Sequence, residues 1–219
     1  MKMFIFGSYW LNLLQKQYGN VLLPSKNCGA GELTIEELFL IAHIVKKYQP
    51  KRIFEIGTYR GTSTVTMALN SPDDCKIYTL DVVEQPPQED EDIEWIADYK
   101  HPDDVGIQFR NPEAEFTKKA YSKIVQLWGN STTFDYSPYM DMDLVFVDGS
   151  HDFNTAYSDL YNALSMTSGI VLAHDYAIWE PGVMGAVQKI LKNFEIHFYV
   201  WKGASMIGFG DELEDLLDD

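Results

Sequence analysis

Arg52-Ile-Phe-Glu-Ile-Gly-Thr-Tyr-Arg-Gly-Thr-Ser-Thr64 is a β-type apolar run that breaks at an acid and a glycine and restarts as a helix. Ile53, Phe54 and Ile56 read as a short buried strand, and Gly57 and Gly61 punctuate a turn. Thr62 to Leu69 then opens an apolar-rich helix whose first N–H groups have no partner inside it. That order presents backbone donors to a polar or anionic ligand above the strand, so it builds a pocket for a nucleotide-type cofactor. A second run, Ile77-Tyr-Thr-Leu-Asp81, follows at the separation at which a neighbouring strand offers a carboxylate to a ribose diol.

The 219 residues are 46% apolar, enough for the core of one domain spanning 1–219, and no shift in composition divides them. The 17 basic residues face 33 acidic ones, a net charge of −16. Nucleic acid and anionic membrane are therefore not expected as partners, since phosphate backbones attract basic surfaces. Cys28 and Cys75 are isolated, with neither disulfide nor zinc spacing, and fit a reducing cytoplasmic compartment. Met1 to Leu14 is apolar but broken by Gly7, Ser8 and Asn12 and too short to span a bilayer; it reads as an ordinary N-terminal element. No spanning helix is expected elsewhere, and a homo-oligomer is compatible with the sequence.

Thr34-Ile-Glu-Glu37 opens a capped helix that runs to Tyr48, within a helical N-terminal cap over residues 1–50. Strands are expected near Arg52–Ile56, Lys76–Asp81, Ile124–Trp128, Leu144–Asp148, Gly169–His174, Ile196–Trp201 and Ala204–Phe209. Helices are expected near Thr62–Leu69, Glu113–Tyr121, Asn154–Ser165 and Gly182–Phe194. The alternation implies a Rossmann-like, doubly wound, mainly parallel sheet with ligands at the carboxyl ends of its strands. Lys202-Gly203 is too short for a crossover, so the last strand should run antiparallel. Residues 84–120 form an insert or lid, and Glu84 to Asp104 holds nine acids and one Lys. Six acids crowd the nine residues of the 211–219 tail, for which a frayed helix or disorder is expected.

Blocks in the same order resemble the class I S-adenosylmethionine-dependent methyltransferases, specifically a small O-methyltransferase-like "methyltransferase domain" group. They are Phe54 to Ser63, Tyr78 to Asp81, Asp104 to Phe109, Val125 to Ser131, Phe134 to Tyr139, Asp143 to His151 and Val171 to Tyr176. The resemblance implies a seven-stranded sheet with one antiparallel strand and S-adenosylmethionine as cofactor. It implies that Glu55 and Gly57 frame the methionine end, with Thr58, Tyr59, Gly61, Thr62 and Ser63 in the same turn. Asp81 would take the ribose hydroxyls, Asn130 and Ser131 would lie beside the adenine, and Asp148 would border both halves of the site. Position 130 is commonly acidic in this group.

Each residue also has a structural reading. Gly57 suits a tight turn with positive φ, Asp81 suits a cap, and a buried Glu55 needs a partner such as Arg60 or a backbone N–H. Asp148-Gly-Ser-His151 and His174-Asp175 end neighbouring strands about 4.8 Å apart, so Asp148, His151, His174 and Asp175 converge as the reaction centre. His151 or His174 suits a general base for a hydroxyl of a small-molecule acceptor. Alternatively Asp148, His174 and Asp175 hold a divalent metal such as magnesium. Metal-dependent catechol-type methyltransferases end the second of these strands in Asp-Asn, where this chain has His174-Asp175. Tyr176, Trp179 and Trp95 are candidates for an aromatic wall or for core packing.

Two other classes compete: an S-adenosylmethionine-binding protein without transfer activity, and an iron-dependent hydroxylase-like enzyme. A dinucleotide oxidoreductase is disfavoured, because its fingerprint needs glycine at 57, 59 and 62 and the chain has Gly57, Tyr59 and Thr62.

Overall fold

The expected alternation is present in a computed structural model of the chain, which describes residues 2–6, 12, 14–16, 19–24, 33–82, 105–110 and 115–216. The strands are Lys2–Phe6 (β1), Arg52–Ile56 (β2), Lys76–Asp81 (β3), Ile124–Trp128 (β4), Leu144–Val147 (β5), Ile170–Ala173 (β6), His197–Trp201 (β7) and Ile207–Phe209 (β8). The helices are Ile35–Tyr48 (α1), Thr62–Asn70 (α2), Ile107–Arg110 (α3), Glu115–Tyr121 (α4), Phe153–Met166 (α5) and Pro181–Asn193 (α6). One sheet carries the order β1-β7-β8-β6-β5-β2-β3-β4, in which β8 runs antiparallel to both neighbours and the other pairs are parallel.

Both faces of the sheet are buried, and the period-2 geometry of a strand divides its side chains between them. Ile53, Leu144, Phe146, Ile170 and Leu172 pack under α1 and α2. Phe54, Val145, Val147, Val171 and Ala173 pack under α5 and α6. The capping box read from Thr34 and Glu37 is present at the start of α1.

Every strand expected from the sequence is found, and β1 makes the sheet eight-stranded. The N-terminal segment expected as part of a helical cap thus begins with a strand. Lys2 to Phe6 pairs in register with His197 to Trp201, which covers an edge that β7 would otherwise leave open.

The acidic tail also differs from expectation. Asp211–Leu216 forms 3-10 turns with Leu213 and Leu216 fully buried. Gly208 makes the room: a Cβ there would lie 2.5 Å from Leu213 Cδ1 and 2.8 Å from the Trp201 ring. The Lys47 ammonium and the Tyr48 hydroxyl then donate to the Asp215 and Glu212 carbonyls. Residues 217–219, Cys28, Trp95 and the acidic run 84–104 lie outside the described residues.

Candidate active site at the carboxyl ends of the strands

The glycine turn after β2 is built by close approach. Gly57 has φ +96°, and a Cβ on it would stand 2.0 Å from the Asp148 carbonyl oxygen. Its glycine is thus required by the neighbouring end of β5, whatever ligand lies above. Tyr59 takes a positive φ of 45°, where the dinucleotide fingerprint would have glycine. Gly61, at φ 86°, is the N-cap of α2 and leaves the helix without a side-chain cap.

Asp81 holds this turn in shape. Its Oδ2 accepts from the Thr58 and Tyr59 amides at 3.0 and 2.7 Å, and its Oδ1 accepts from the Val82 amide at 2.8 Å. The carboxylate expected to read ribose is the clamp of the glycine turn. Thr58 is buried, and its hydroxyl pairs with those of Thr79 at 2.6 Å and the Gln126 amide at 3.0 Å. The insert contributes at this point: the Gly106 and Gln108 amides donate to the Tyr59 and Arg60 carbonyls. The Phe109 ring lies so close that a Cβ on Gly61 or Gly106 would fall 2.6 Å from it.

Glu55 is fully buried and turned into the protein. Its carboxylate accepts from the hydroxyls of Ser63, Thr64 and Thr79, so neither Arg60 nor a backbone N–H is its partner. Burial pushes its carboxyl up to about 7, against the three hydroxyls, which pull it down. Glu55 thus ties the first turn of α2 to β3. Asn130 is exposed, and its Oδ1 accepts from the Thr132 amide and hydroxyl at 2.9 and 2.7 Å. It shapes a local turn, whereas Ser131 is half-buried beside it.

The ends of β5 and β6 bring the four acceptor-side residues together around a shallow recess lined by Asp148, Ser150, His151, His174, Asp175 and Val183. His174 Nδ1 lies 3.2 Å from Asp148 Oδ1 and 3.1 Å from Asp175 Oδ2, and its Nε2 lies 3.2 Å from Glu37 Oε2. His151, half exposed, places Nε2 2.8 Å from Asp175 Oδ2 and Nδ1 3.1 Å from Glu180 Oε2. Asp175 sits at φ 59°, a left-handed conformation that aspartate tolerates better than most residues.

Burial would lower the His174 pKa, but Asp148, Asp175 and Glu37 outweigh it and raise it to about 12. Asp175 is correspondingly held far below the ordinary carboxylate range: burial opposes this, and the two histidines prevail. The hydrogen bond to Asp175 raises His151, partly offset by burial. Sequence reasoning missed Glu37 and Glu180. Glu37 carried a signal only as the third residue of a capping box, and Glu180 none.

Tyr176 packs edge-on against Phe198 at 5.7 Å and belongs to the core, while Ile178 and Trp179 stand exposed.

The donor implied by the resemblance fits the glycine turn, where α2 starts without a side-chain cap beside Asp81 and Asp148. A metal fits less well. Asp148, His174 and Asp175 do bring three ligand atoms within 4.8 Å of one another. Yet carboxylates face both nitrogens of His174, so both carry protons and Nδ1 has no lone pair to give. As arranged, the imidazolium supplies the positive charge between the two aspartates.

The Methyltransferase domain family matches residues 54–176, more than half of the 219-residue chain. Among solved structures, the O-methyltransferase from Bacillus cereus in complex with SAH superposes with a TM-score of 0.61 at 14% identity, over 94% of this chain and 92% of that one. An SAH-bound methyltransferase from Podospora anserina gives 0.60 at 12% identity, over 94% and 88%. The O-methyltransferase TomG from Streptomyces achromogenes, in complex with SAM, gives 0.56 at 15% identity, over 93% and 89%. These likenesses agree on the fold, and the family match spans the glycine turn, Asp81, Asp148 and His174-Asp175. The chain belongs to the Methyltransferase domain family, the class I S-adenosylmethionine-dependent methyltransferases that its sequence resembles.

Proposed function

We propose that the protein methylates a hydroxyl group of a small molecule, with His151 as the general base. The carrying observation is the 2.8 Å contact between His151 Nε2 and Asp175 Oδ2 at the edge of the recess. When bound, S-adenosylmethionine supplies an electrophilic methyl group on a sulfonium. Carboxylates face both nitrogens of His151 too, so the base form arises when the Nδ1 proton is lost and the pairing with Glu180 ends; Nε2–H still donates to Asp175, and Nδ1 becomes the basic atom. An acceptor hydroxyl then takes the place of Glu180 at that nitrogen and passes its proton to it. Asp148 and Asp175 keep the surroundings negative, and the His174 cation fixes both carboxylates in place. Cofactor contacts fall to Gly57, Thr62 and Ser63 at the turn, Asp81 beside it and Ser131 across the strand ends.

Several observations support this reading. Structural relatives are described as O-methyltransferases. No helix among the described residues is long and apolar enough to cross a membrane. Cys75 is a buried free thiol, consistent with work in the cytosol.

The test is methyl transfer from labelled donor to a panel of hydroxylated and amine acceptors, with His151→Ala alongside. Transfer to hydroxyls, lost in the variant while S-adenosylhomocysteine still binds, is expected. Retained transfer would remove His151 from the base role. Metal analysis and dialysis against chelator accompany the assay: activity that disappears with a bound divalent ion, iron included, would overturn the metal-free arrangement.

A further inference from the structure

Asp175 orients His151, with Oδ2 2.8 Å from Nε2, and it does so from a backbone φ of 59°. A residue with a side chain stays in that left-handed region only where its surroundings hold it. Two supports do so here. On the side-chain route, His174 Nδ1 lies 3.1 Å from the same Oδ2. On the backbone route, the Tyr176 amide donates to the Ser205 carbonyl at 2.9 Å, which fixes the peptide that leaves Asp175.

Both routes end on Glu37. Its Oε2 lies 3.2 Å from His174 Nε2, and its Oε1 accepts from the Ser205 amide at 2.7 Å. The side chain is 2% exposed, and the Thr34 amide and hydroxyl donate to Oε2 at 2.8 and 3.0 Å, so the carboxylate is held at both oxygens. A capping box requires only the bond back to the Thr34 amide and forms equally well on a solvated helix end. It accounts for neither the contact with His174 nor the bond from Ser205. Nor does the family pattern, which begins at residue 54.

We propose that Glu37 is a positioning residue for methyl transfer: it holds His174 and the β7–β8 connection so that Asp175 keeps His151 turned towards the acceptor. The proposal rests on the reading of His151 as the base. Glu37 acts through these neighbours and not by contact with donor or acceptor.

The test compares the full wild-type chain with Glu37→Gln. The amide offers one acceptor oxygen where the carboxylate has two, so either His174 or Ser205 loses its partner while the side chain keeps its shape. With labelled donor and a hydroxyl acceptor from the panel, kcat should fall about tenfold or more, while KM and the calorimetric affinity for S-adenosylhomocysteine stay within about twofold. In an Asp175→Asn background the same change should alter kcat by less than about twofold, because residues that act through one partner are not additive. A second readout needs no acceptor. Carbethoxylation of His151 by diethyl pyrocarbonate, followed by mass spectrometry, should change in rate by about threefold or more in Glu37→Gln, once the imidazole is no longer well seated on Asp175. An unchanged kcat, an unchanged His151 rate, or an equal fall in kcat with and without the Asp175 carboxylate would each overturn the assignment and leave the methyltransferase reading intact. Should Glu37→Gln not fold, Glu37→Asp, which keeps the charge and shortens its reach, decides by the same readouts. No transfer by the wild type to any acceptor overturns the function reading first, and the positioning role with it.

Discussion

Glu37, in the first turn of α1, places Oε2 3.2 Å from Nε2 of His174 at the end of β6, so the helix that precedes β2 reaches the recess at the strand ends. The same carboxylate accepts from the Thr34 amide at 2.8 Å and from the Ser205 amide at 2.7 Å. One buried side chain thereby joins a helix cap, the β7–β8 connection and the charge network of the recess.

Burial would raise the Glu37 carboxyl, but His174 and the two amides bring it from 4.5 to about 2. A depressed carboxyl contributes stability above its unfolded value, and loses it as pH falls from 4.5 towards 2. Glu37→Ala should cost about 3–5 kcal/mol near neutral pH, the loss typical of an uncompensated buried ion. Urea unfolding measures it. In Glu37→Gln the His174 pKa should drop, read from its ring resonances, and an unchanged His174 titration would detach Glu37 from the site.

Glu55 has the opposite dependence. Its pKa is raised from 4.5 to about 7, so the folded state holds the proton more tightly than the unfolded state. Its contribution is present at low pH and is lost as pH rises across that interval, by on the order of 3 kcal/mol. Glu55→Gln should flatten this part of the stability profile. Comparing urea midpoints of both proteins at about pH 5 and about pH 8 checks it, and parallel profiles would contradict the raised carboxyl.

Gly57→Ala forces a Cβ to within 2.0 Å of the Asp148 carbonyl at a φ of +96°. Backbone must move, and a destabilisation above about 4 kcal/mol is expected from overlap and strain together. Thermal unfolding of the variant should show it, and a melting temperature near that of the wild type would show that β2 and β5 are not so closely apposed.

Asp175, followed by Glu180 and Asp148, raises the His151 pKa against the effect of burial. Base catalysis by the neutral imidazole therefore gains strength only above the ordinary value of 6.5. Glu180→Gln should move the rising limb of the pH–rate profile to lower pH while leaving S-adenosylhomocysteine affinity within about twofold, as for a charge acting on the base alone. A limb that stays in place would assign it to another group.

The strands from β2 onward, the longer helices and the glycine turn were legible because their causes lie within a few residues, whereas β1 depends on pairing with distant β7. Thr34 and Glu37 cap α1 from three residues apart, the two-residue alternation of β5 and β6 fixes both faces, and Lys202-Gly203 allows no crossover. The convergence of Asp148, His151, His174 and Asp175 was also within reach, since adjacent parallel strands align their ends. Local chemistry was less informative about roles. Asn130 and Asp81 read as ligand contacts, and the structure adds a local role for each: one holds its own turn and the other clamps two amides of the turn after β2. The acidic tail read as unstructured because its composition is polar, while Leu213 and Leu216 are seated in the core.

Local pattern, then, settles the class of fold and the edge of the sheet at which chemistry occurs, because capping, periodicity and turn geometry act over short stretches of chain. Long-range packing settles the electrostatics. Whether His174 is a cation, Glu55 a carboxyl raised by burial and Asp159 a buried acid depends on packing and on partners brought from distant segments. Desolvation and charge pairing exist only once those segments have met.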